Sequence, residues 1–247
     1  MQKIYSGKQL DILYAQAAQL DKLSALDHIE RASAAFEREL LRHYSLGGRS
    51  IYVFAGAGRC GAYALSIAQT LSRRGYTVFA YLFYRGGKLS PDCEAIRERL
   101  PQDTFRLEEV FTDFAPPRIS GGDLIIDGLF GADLQTPLSD GYVALVDFLN
   151  AASAPIVSVE IPSGLFADNS GNTLEHVIRA ERTISFDSPK LAFFFRENDP
   201  YVGAWSCLSL GISPQAQQDI DTAYYHVQDA ALSLALQKRP RFSIEQP

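Results

Sequence analysis

The chain has 247 residues, of which 47% are hydrophobic and 21% are charged, a composition typical of a globular protein with a buried core. Its formal net charge of -6 at pH 7 provides no cationic field for a nucleic-acid backbone or an anionic membrane. The longest apolar runs are strand-length, well below the ~20 residues that cross a bilayer. Because the N-terminus also lacks an apolar signal segment, we expect a cytoplasmic protein with no nucleic-acid or membrane partner.

The first part of the chain alternates between helical and strand patterns. Apolar residues recur at helical spacing over residues 7–44 and predict two amphipathic helices. A buried strand is predicted at Ser50–Ala55, followed by a glycine-rich turn, an alanine-rich helix to about Arg74 and a second strand at Tyr76–Tyr84. The pair Ser90–Pro91 is typical of the start of a helix. Strand, glycine turn, helix and strand form a βαβ unit.

The alternation continues to the end of the chain. Further strands are predicted at Leu124–Asp127, Pro155–Ile161, Arg182–Phe186 and Val202–Leu210, and a helix at Gly141–Ala152. The pattern predicts a three-layer α/β/α sandwich with a Rossmann-like, mostly parallel sheet. No repeat or linker divides the sequence, so we expect a single domain over residues 1–247. Ligands of such folds bind beyond the carboxyl ends of the strands.

A glycine-rich turn follows the first core strand. Gly56, Gly58 and Gly61 satisfy the pattern Gly-x-Gly-x-x-Gly, whose backbone N–H groups hold a diphosphate in this context, although tight packing alone also calls for glycine. Dehydrogenases of this fold carry an acidic residue for the ribose about 20 residues further on. Here the second strand is followed by Tyr84 and Arg85, so an NADP-dependent oxidoreductase with Arg85 on a 2′-phosphate is one alternative.

Two carboxylates end predicted strands. Asp127 and Glu160 are expected near the same edge of the sheet, where a pair could bind a cation or divide acid and base roles. Each alone could also cap its own turn. Ser163 follows Glu160 closely, but it lacks a Gly-x-Ser-x-Gly context and a histidine placed as its base, so a hydrolase nucleophile is not expected.

Several segments occur in the same order and at the same spacing as the signature motifs of one protein family. They are Glu30–Ala32, Ile126–Gly131, Leu134–Leu138, Pro155–Gly164, and Thr183–Phe186 with Lys190. In these segments the chain resembles the NAD(P)H-hydrate epimerases, the YjeF N-terminal domain family, over about residues 5–215. Residues 240–247 are similar to the start of a linker into the dehydratase half of bifunctional members. The resemblance implies that a stand-alone protein works with a separate dehydratase.

The resemblance also implies a function and a site. Family members are isomerases that interconvert the R and S epimers of NADHX and NADPHX, hydrated forms of NADH and NADPH, with a carboxylate beside a bound potassium ion. By position, Glu160 stands at the catalytic acid, and Asp127 and Ser163 stand at potassium ligands. A homodimer is also implied. The residues that would line the dinucleotide site are Gly58, Arg59, Cys60, Gly61, Gly131, Leu134 and Thr136.

The glycine loop departs from the family pattern Gly-x-Gly-Asn-Asn-Gly-Gly-Asp-Gly. Arg59 and Cys60 replace both asparagines, and Tyr63 replaces the aspartate. A thiol is a poor ligand for a hard alkali cation, so the implied potassium site lacks one ligand. Glu160 replaces an aspartate and is longer by one methylene. We expect Arg59 either to pair with Asp127 in place of the ion or to point to solvent.

Two further alternatives follow from the altered loop. The chain could be a diverged, non-catalytic nucleotide-binding or scaffold module of the same fold, since the loop has lost two carboxamides and a carboxylate. Cys60 could have a lowered pKa and react readily, because it lies near a helix N-terminus beside Arg59. Alternatively, Cys60 is buried in the core, as lone cysteines commonly are.

Overall fold

A seven-stranded parallel sheet forms the centre of the computed structural model, which describes residues 1–84, 87–101, 105–168 and 175–227. β2 lies between β3 and β5, so the chain runs outward in both directions from this point, where doubly wound sheets bind their ligands. In spatial order the strands are β4 (Leu107–Val110), β3 (Thr77–Phe83), β2 (Ser50–Gly56), β5 (Leu124–Gly128), β6 (Ile156–Val159), β7 (Arg182–Phe186) and β8 (Ala204–Leu208).

Helices cover both faces of this sheet. In chain order they are α1 (Gly7–Leu20), α2 (Ala25–His43), α3 (Arg59–Arg73), α4 (Pro91–Glu98), α5 (Gly141–Ala151), α6 (Asp199–Val202) and α7 (Pro214–Gln218), with 3-10 turns at Leu191–Phe194 and Arg196–Asn198. One core contains residues of α2, α3 and α4, and a second core contains residues of α5. This arrangement confirms the predicted α/β/α sandwich. None of the helices in the described ranges is long and apolar enough to span a membrane.

Strand β2 illustrates why the sequence folds in this way. Ile51 and Val53 contribute to the core beneath α2 and α3, whereas Tyr52 and Phe54 contribute to the core beneath α5. Successive side chains of a strand point to opposite faces, so a strand covered on both sides needs a continuous apolar run. That run is what the sequence has, and the strand was predicted correctly.

Short elements were missed. The four residues of β4, Leu-Glu-Glu-Val, carry too little apolar patterning to indicate a strand. β1 (Gln2–Ile4) and β9 (Tyr224–His226) form a separate antiparallel pair, which depends on contacts between distant parts of the sequence. Residues 240–247, with their resemblance to a linker, and Arg85 lie outside the described residues.

Candidate functional site

Glu160 lies at the carboxyl end of β6 and lines a cleft beside the point where the strand order reverses. The cleft has a volume of about 240 Å³ and is also lined by Gly58 and Cys60 from the glycine loop and by Ala132 and Asp133 from the segment after β5. Glu160 has a positive φ of 68°, a conformation that is strained for a residue with a side chain and is concentrated at functional sites. We call this cavity the Glu160 cleft.

Lys190 provides the charge that faces this carboxylate. Its Nζ lies 3.4 Å from Oε1 of Glu160, and the lysine side chain is fully buried. The ammonium group also donates to Oγ of Ser185 and to the carbonyl oxygen of Ser188, both at 3.1 Å. A buried ammonium with three oxygen partners is held in one position, so it fixes the orientation of Glu160.

The segment after β5 contacts the other carboxylate oxygen. Oε2 of Glu160 accepts a hydrogen bond from the Ala132 N–H at 3.4 Å. A Cβ on Gly131 would lie 2.6 Å from Oε2, so a larger residue would displace the carboxylate. Further along the segment, Leu134 is half-buried and Thr136 is exposed, and neither lines the Glu160 cleft.

The glycines of the loop have different roles. A Cβ on Gly61 would lie 1.7 Å from the carbonyl oxygen of Gly56, so Gly61 is required by close packing between the helix and the strand. Gly58 borders the Glu160 cleft and is the N-cap of α3 with no side-chain cap. The first N–H groups of a helix have no partner within it, so α3 offers backbone donors beside the cleft.

The position of Arg59 corrects the sequence-based expectation. Its Nη1 lies 3.1 Å from Oδ1 of Asp11 in α1, and its Nε lies 3.2 Å from Oδ2 of Asp92 in α4. The guanidinium also lies over the Tyr14 ring, 5.2 Å from its centroid. Arg59 therefore neither pairs with Asp127 nor points freely to solvent, because two closer acids on the wall of the cleft compete for it.

Asp127 is completely buried, and both of its oxygens accept hydrogen bonds. Oδ2 accepts from Oγ of Ser158 at 2.7 Å and from the Ser163 N–H at 2.9 Å, while Oδ1 accepts from Oγ of Ser163 at 2.5 Å and from the Leu129 N–H at 3.3 Å. Burial raises the pKa of Asp127 above its usual value, although these hydrogen bonds act in the opposite direction. The carboxylate ties the end of β5 to the turn after β6.

These contacts do not fit the potassium ion that the resemblance implies. The four donors already occupy the oxygens of Asp127, and the Cys60 thiol donates to the Val159 carbonyl oxygen at 3.3 Å. A donor thus stands where an oxygen ligand is needed. Within the ranges that the structure describes, no group of three or more His, Cys, Asp or Glu could hold a metal ion.

The environment of Cys60 decides between the two alternatives for this thiol. The residue is 3% exposed, and burial, reinforced by the negative charges of Glu160 and Asp127, raises the pKa of the thiol well above its usual value. A reactive cysteine requires the thiolate. Cys60 is therefore a core residue, and the hypothesis of a lowered pKa is wrong.

A second buried polar network was not found from the sequence. Nε2 of His28 lies 2.9 Å from Oδ2 of Asp187, and Nδ1 lies 3.0 Å from Oη of Tyr63. A carboxylate only accepts, so Nε2 carries a proton toward Asp187, and Nδ1 on the other side of the ring is hydrogen-bonded to the Tyr63 hydroxyl. Burial and the charge of Glu160 raise the pKa of Tyr63 well above its usual value, which keeps this hydroxyl protonated. These three residues lie on α2, α3 and the loop after β7, and no motif joins them.

The fold and the cleft together define a class of protein. The sheet is parallel and doubly wound, and the point where its strand order reverses has a glycine turn, uncapped backbone donors and a carboxylate. These features define a Rossmann-like small-molecule-binding domain. The family model described as the YjeF-related protein N-terminus matches residues 26–192. The chain therefore belongs to the YjeF N-terminal family, in agreement with the resemblance in its sequence.

Relatives support this assignment, and a solved structure shows the same fold. The chain is 30% identical to an NAD(P)H-hydrate epimerase of Limosilactobacillus fermentum, over 71% of this chain and 81% of that protein. It is 27% identical to the bifunctional NAD(P)H-hydrate repair enzyme Nnr of Dictyoglomus turgidum, over 73% of this chain and 35% of that protein. The crystal structure of yeast YNL200c has the same fold, with a TM-score of 0.66 at 18% identity, covering 99% of this chain and 97% of that one.

Proposed function

We propose that the protein interconverts the two epimers of hydrated nicotinamide dinucleotides, as the names of its relatives indicate for those proteins. The single observation that supports this most is the placement of Glu160. By the resemblance in sequence, Glu160 stands at the position of the family's catalytic acid, and it lines the cleft at the reversal point with a fixed cation, Lys190, behind it.

In the proposed mechanism, Glu160 carries one proton from the added hydroxyl to the ring nitrogen, and carries it back when the ring closes. The carboxylate removes the proton from the added hydroxyl as the bond between the hydroxyl-bearing carbon and the ring nitrogen breaks. The electron pair of that bond goes to the nitrogen, which receives the proton from Glu160, leaving an open aldehyde. After rotation the nitrogen attacks the other face of the aldehyde, and the proton transfers run in reverse. Positioned acid–base catalysis of this kind contributes about 10²–10⁴-fold in rate.

We propose that this reaction runs without potassium. The hydrogen bonds of Asp127, Ser163 and Cys60 described above support this, because they fill the positions that an ion would need. We expect the same epimerisation rate in potassium chloride and in choline chloride at equal ionic strength. A rate that rises saturably with potassium alone would contradict this part of the proposal.

Further parts of the proposal follow from the family resemblance. The domain would act as a homodimer in the cytoplasm, and a dehydratase would consume one of the two epimers. Light scattering measures the predicted dimer directly. The residues proposed to contact the dinucleotide are Gly58, Arg59, Cys60, Gly61, Gly131, Leu134 and Thr136.

A coupled assay tests the proposed function. The purified protein is mixed with both hydrate epimers and a dehydratase that uses only one of them, and the consumption of the other epimer is followed. We expect this epimer to disappear faster than in buffer. A folded sample that gives no acceleration would refute the proposal.

A non-catalytic module is the second candidate function, and one observation favours it. Asp11, Asp92, Asp133 and Glu160 line the same cleft, with Arg59 as its one lining cation among the described residues. This excess of negative charge repels a diphosphate. A folded protein that neither binds the hydrated dinucleotide nor epimerises it in the coupled assay would support this candidate instead.

A further inference from the structure

A second cavity lies at the same edge of the sheet, beyond the carboxyl ends of β3 and β4 and beside the start of α5. Its volume is about 430 Å³, and its walls include the rings of Phe83, Phe114, Tyr142 and Phe148. We call it the aromatic cavity. Sites for small molecules occupy about 300–1,000 Å³, a range that includes this cavity, whereas the 240 Å³ of the Glu160 cleft is too small for a whole dinucleotide.

The walls of the aromatic cavity are held in place by ring contacts. Phe114 meets Phe83 edge-on at 5.0 Å and 80°, and meets Tyr81 in the same way at 5.3 Å and 72°. Tyr142 contacts Phe130 edge-on at 4.8 Å, and its hydroxyl donates to the Phe83 carbonyl oxygen at 3.4 Å. Rigid aromatic walls favour a flat, aromatic ligand, because stacking then costs little ordering.

The polar residues of the cavity are acceptors and hydroxyls. They are Thr112, Asp113, Ser139 and Asp140. Asp140 is the N-cap of α5, but its side chain makes no capping bond, and its φ is 53°. Carboxylates at the end of a strand or loop accept hydrogen bonds from ribose hydroxyls, and they repel a phosphate on the same sugar.

One segment connects the two cavities. The chain between β5 and α5 contributes Ala132 and Asp133 to the Glu160 cleft and Ser139 and Asp140 to the aromatic cavity. Both cavities therefore open at the carboxyl edge of the sheet and border the two ends of a single segment. A ligand with two flat ring systems joined by a flexible link matches this arrangement.

We propose that the aromatic cavity binds the adenosine half of the hydrated dinucleotide, with a free ribose 2′-hydroxyl, while the nicotinamide half enters the Glu160 cleft. The proposal rests on the function proposed above and adds a substrate preference. Asp113 and Asp140 accept the ribose hydroxyls, so the hydrate of NADH is preferred over the hydrate of NADPH, which carries a 2′-phosphate.

Direct binding tests the location. Adenosine, 5′-AMP and 2′-AMP are titrated into the full chain by calorimetry, with Ala144→Trp as the blocking variant and Ala151→Trp as its control. Ala144 lines the aromatic cavity and is exposed, and Ala151 is exposed on the same helix outside it. We expect adenosine and 5′-AMP to bind the wild type and Ala151→Trp, and to lose binding in Ala144→Trp. No adenosine binding, or equal binding in Ala144→Trp, would overturn the proposal.

The same titrations test the preference. We expect 2′-AMP to bind about tenfold more weakly than 5′-AMP, a difference that Asp113→Asn reduces because it removes one like charge. Equal affinities of the wild type for the two nucleotides would overturn the proposed role of the carboxylates.

Kinetics separate this proposal from the proposed function. We expect Ala144→Trp to raise KM for the hydrate of NADH about tenfold with kcat unchanged, the sign of lost binding that is shared by ground and transition states. The hydrate of nicotinamide mononucleotide, which lacks the adenosine half, should react equally with the variant and the wild type. Turnover by Ala144→Trp with an unchanged KM would overturn only the assignment of the aromatic cavity. Adenosine binding by a wild-type protein that shows no turnover would refute the epimerase function and the dinucleotide as ligand, but it would retain the adenosine site.

Discussion

Asp127 and Glu160 follow adjacent parallel strands, yet their surroundings differ. Asp127 is sealed in the interior and has four hydrogen-bond donors, none of which is charged. Glu160 borders a cleft, and within the described part of the chain it has one buried ammonium as its charged partner and one long backbone hydrogen bond. The acceptor positions of Asp127 are all used within the protein, whereas Glu160 retains acceptor positions for a ligand.

The difference indicates how to assign roles to acids at one sheet edge. A carboxylate whose lone pairs are all met by buried donors stabilises the fold and is expensive to disturb. A carboxylate held by one fixed charge, in a strained backbone and open to a cavity, is suited to proton transfer. We therefore propose a structural role for Asp127 and the proton-transfer role for Glu160.

The largest expected effect comes from Lys190→Met. The substitution leaves the charge of Glu160 buried without its partner, and breaking a buried ion pair from one side costs about 3–5 kcal/mol of unfolding free energy. Denaturant unfolding measures the loss. Arg99→Met, which breaks the exposed pair with Glu30, is the control and should cost below ~1 kcal/mol. The double variant Lys190→Met with Glu160→Gln should recover part of the loss, and a loss as small as the control's would contradict the assigned role of Lys190.

Removing charge from the two acids should separate them. Asp127→Asn places an amide N–H₂ against buried donors and should cost about 2–3 kcal/mol. Glu160→Gln leaves the fully buried ammonium of Lys190 without its charged partner and should cost about 3–5 kcal/mol. Unfolding curves of the two variants, each alone and combined with Lys190→Met, test this, because the second substitution should offset part of the loss only with Glu160→Gln. An equal offset with Asp127→Asn would remove the distinction between the two carboxylates.

A smaller effect is expected from the pH dependence of stability. The pKa of Cys60 is raised in the folded protein, so its contribution is complete below the unfolded thiol pKa of about 8.5 and falls as the pH rises above it. The slope from this group is at most about 1.4 kcal/mol per pH unit. We expect Cys60→Ala to have a shallower loss of unfolding free energy in this alkaline range than the wild type. Parallel curves would indicate that Cys60 ionises equally in both states.

The smallest expected change in stability comes from Arg59→Ala. Arg59 is 37% exposed, and partly exposed ion pairs contribute about 0–1 kcal/mol. Its removal should leave unfolding nearly unchanged. It also removes the positive charge from a cleft lined by Asp11, Asp92 and Asp133, so binding of an anionic nucleotide should weaken. Tighter binding would indicate that the Arg59 bridge obstructs the cleft instead.

The sequence predicted those features that local pattern controls. The continuous apolar run at β2 and the capping residues of α4 determine their own segments, and the strand ends place Asp127 and Glu160 at one edge. The contact of Lys190 with Glu160 and the triad of His28, Tyr63 and Asp187 join elements that are distant in sequence, so no local pattern indicates them. The prediction for Arg59 was wrong because α1 and α4 bring Asp11 and Asp92 within its reach. Only the packing of the helices determines this proximity.

The most direct test of the central claim is the epimerisation rate of Glu160→Gln in the coupled assay, measured at saturating substrate beside the wild type, on samples whose unfolding curves show that both proteins are folded at the assay temperature. We expect the variant to lose at least about 10²-fold in rate, because glutamine does not transfer the proton. A folded Glu160→Gln protein that epimerises at the wild-type rate would contradict the assignment of Glu160 as the acid–base group.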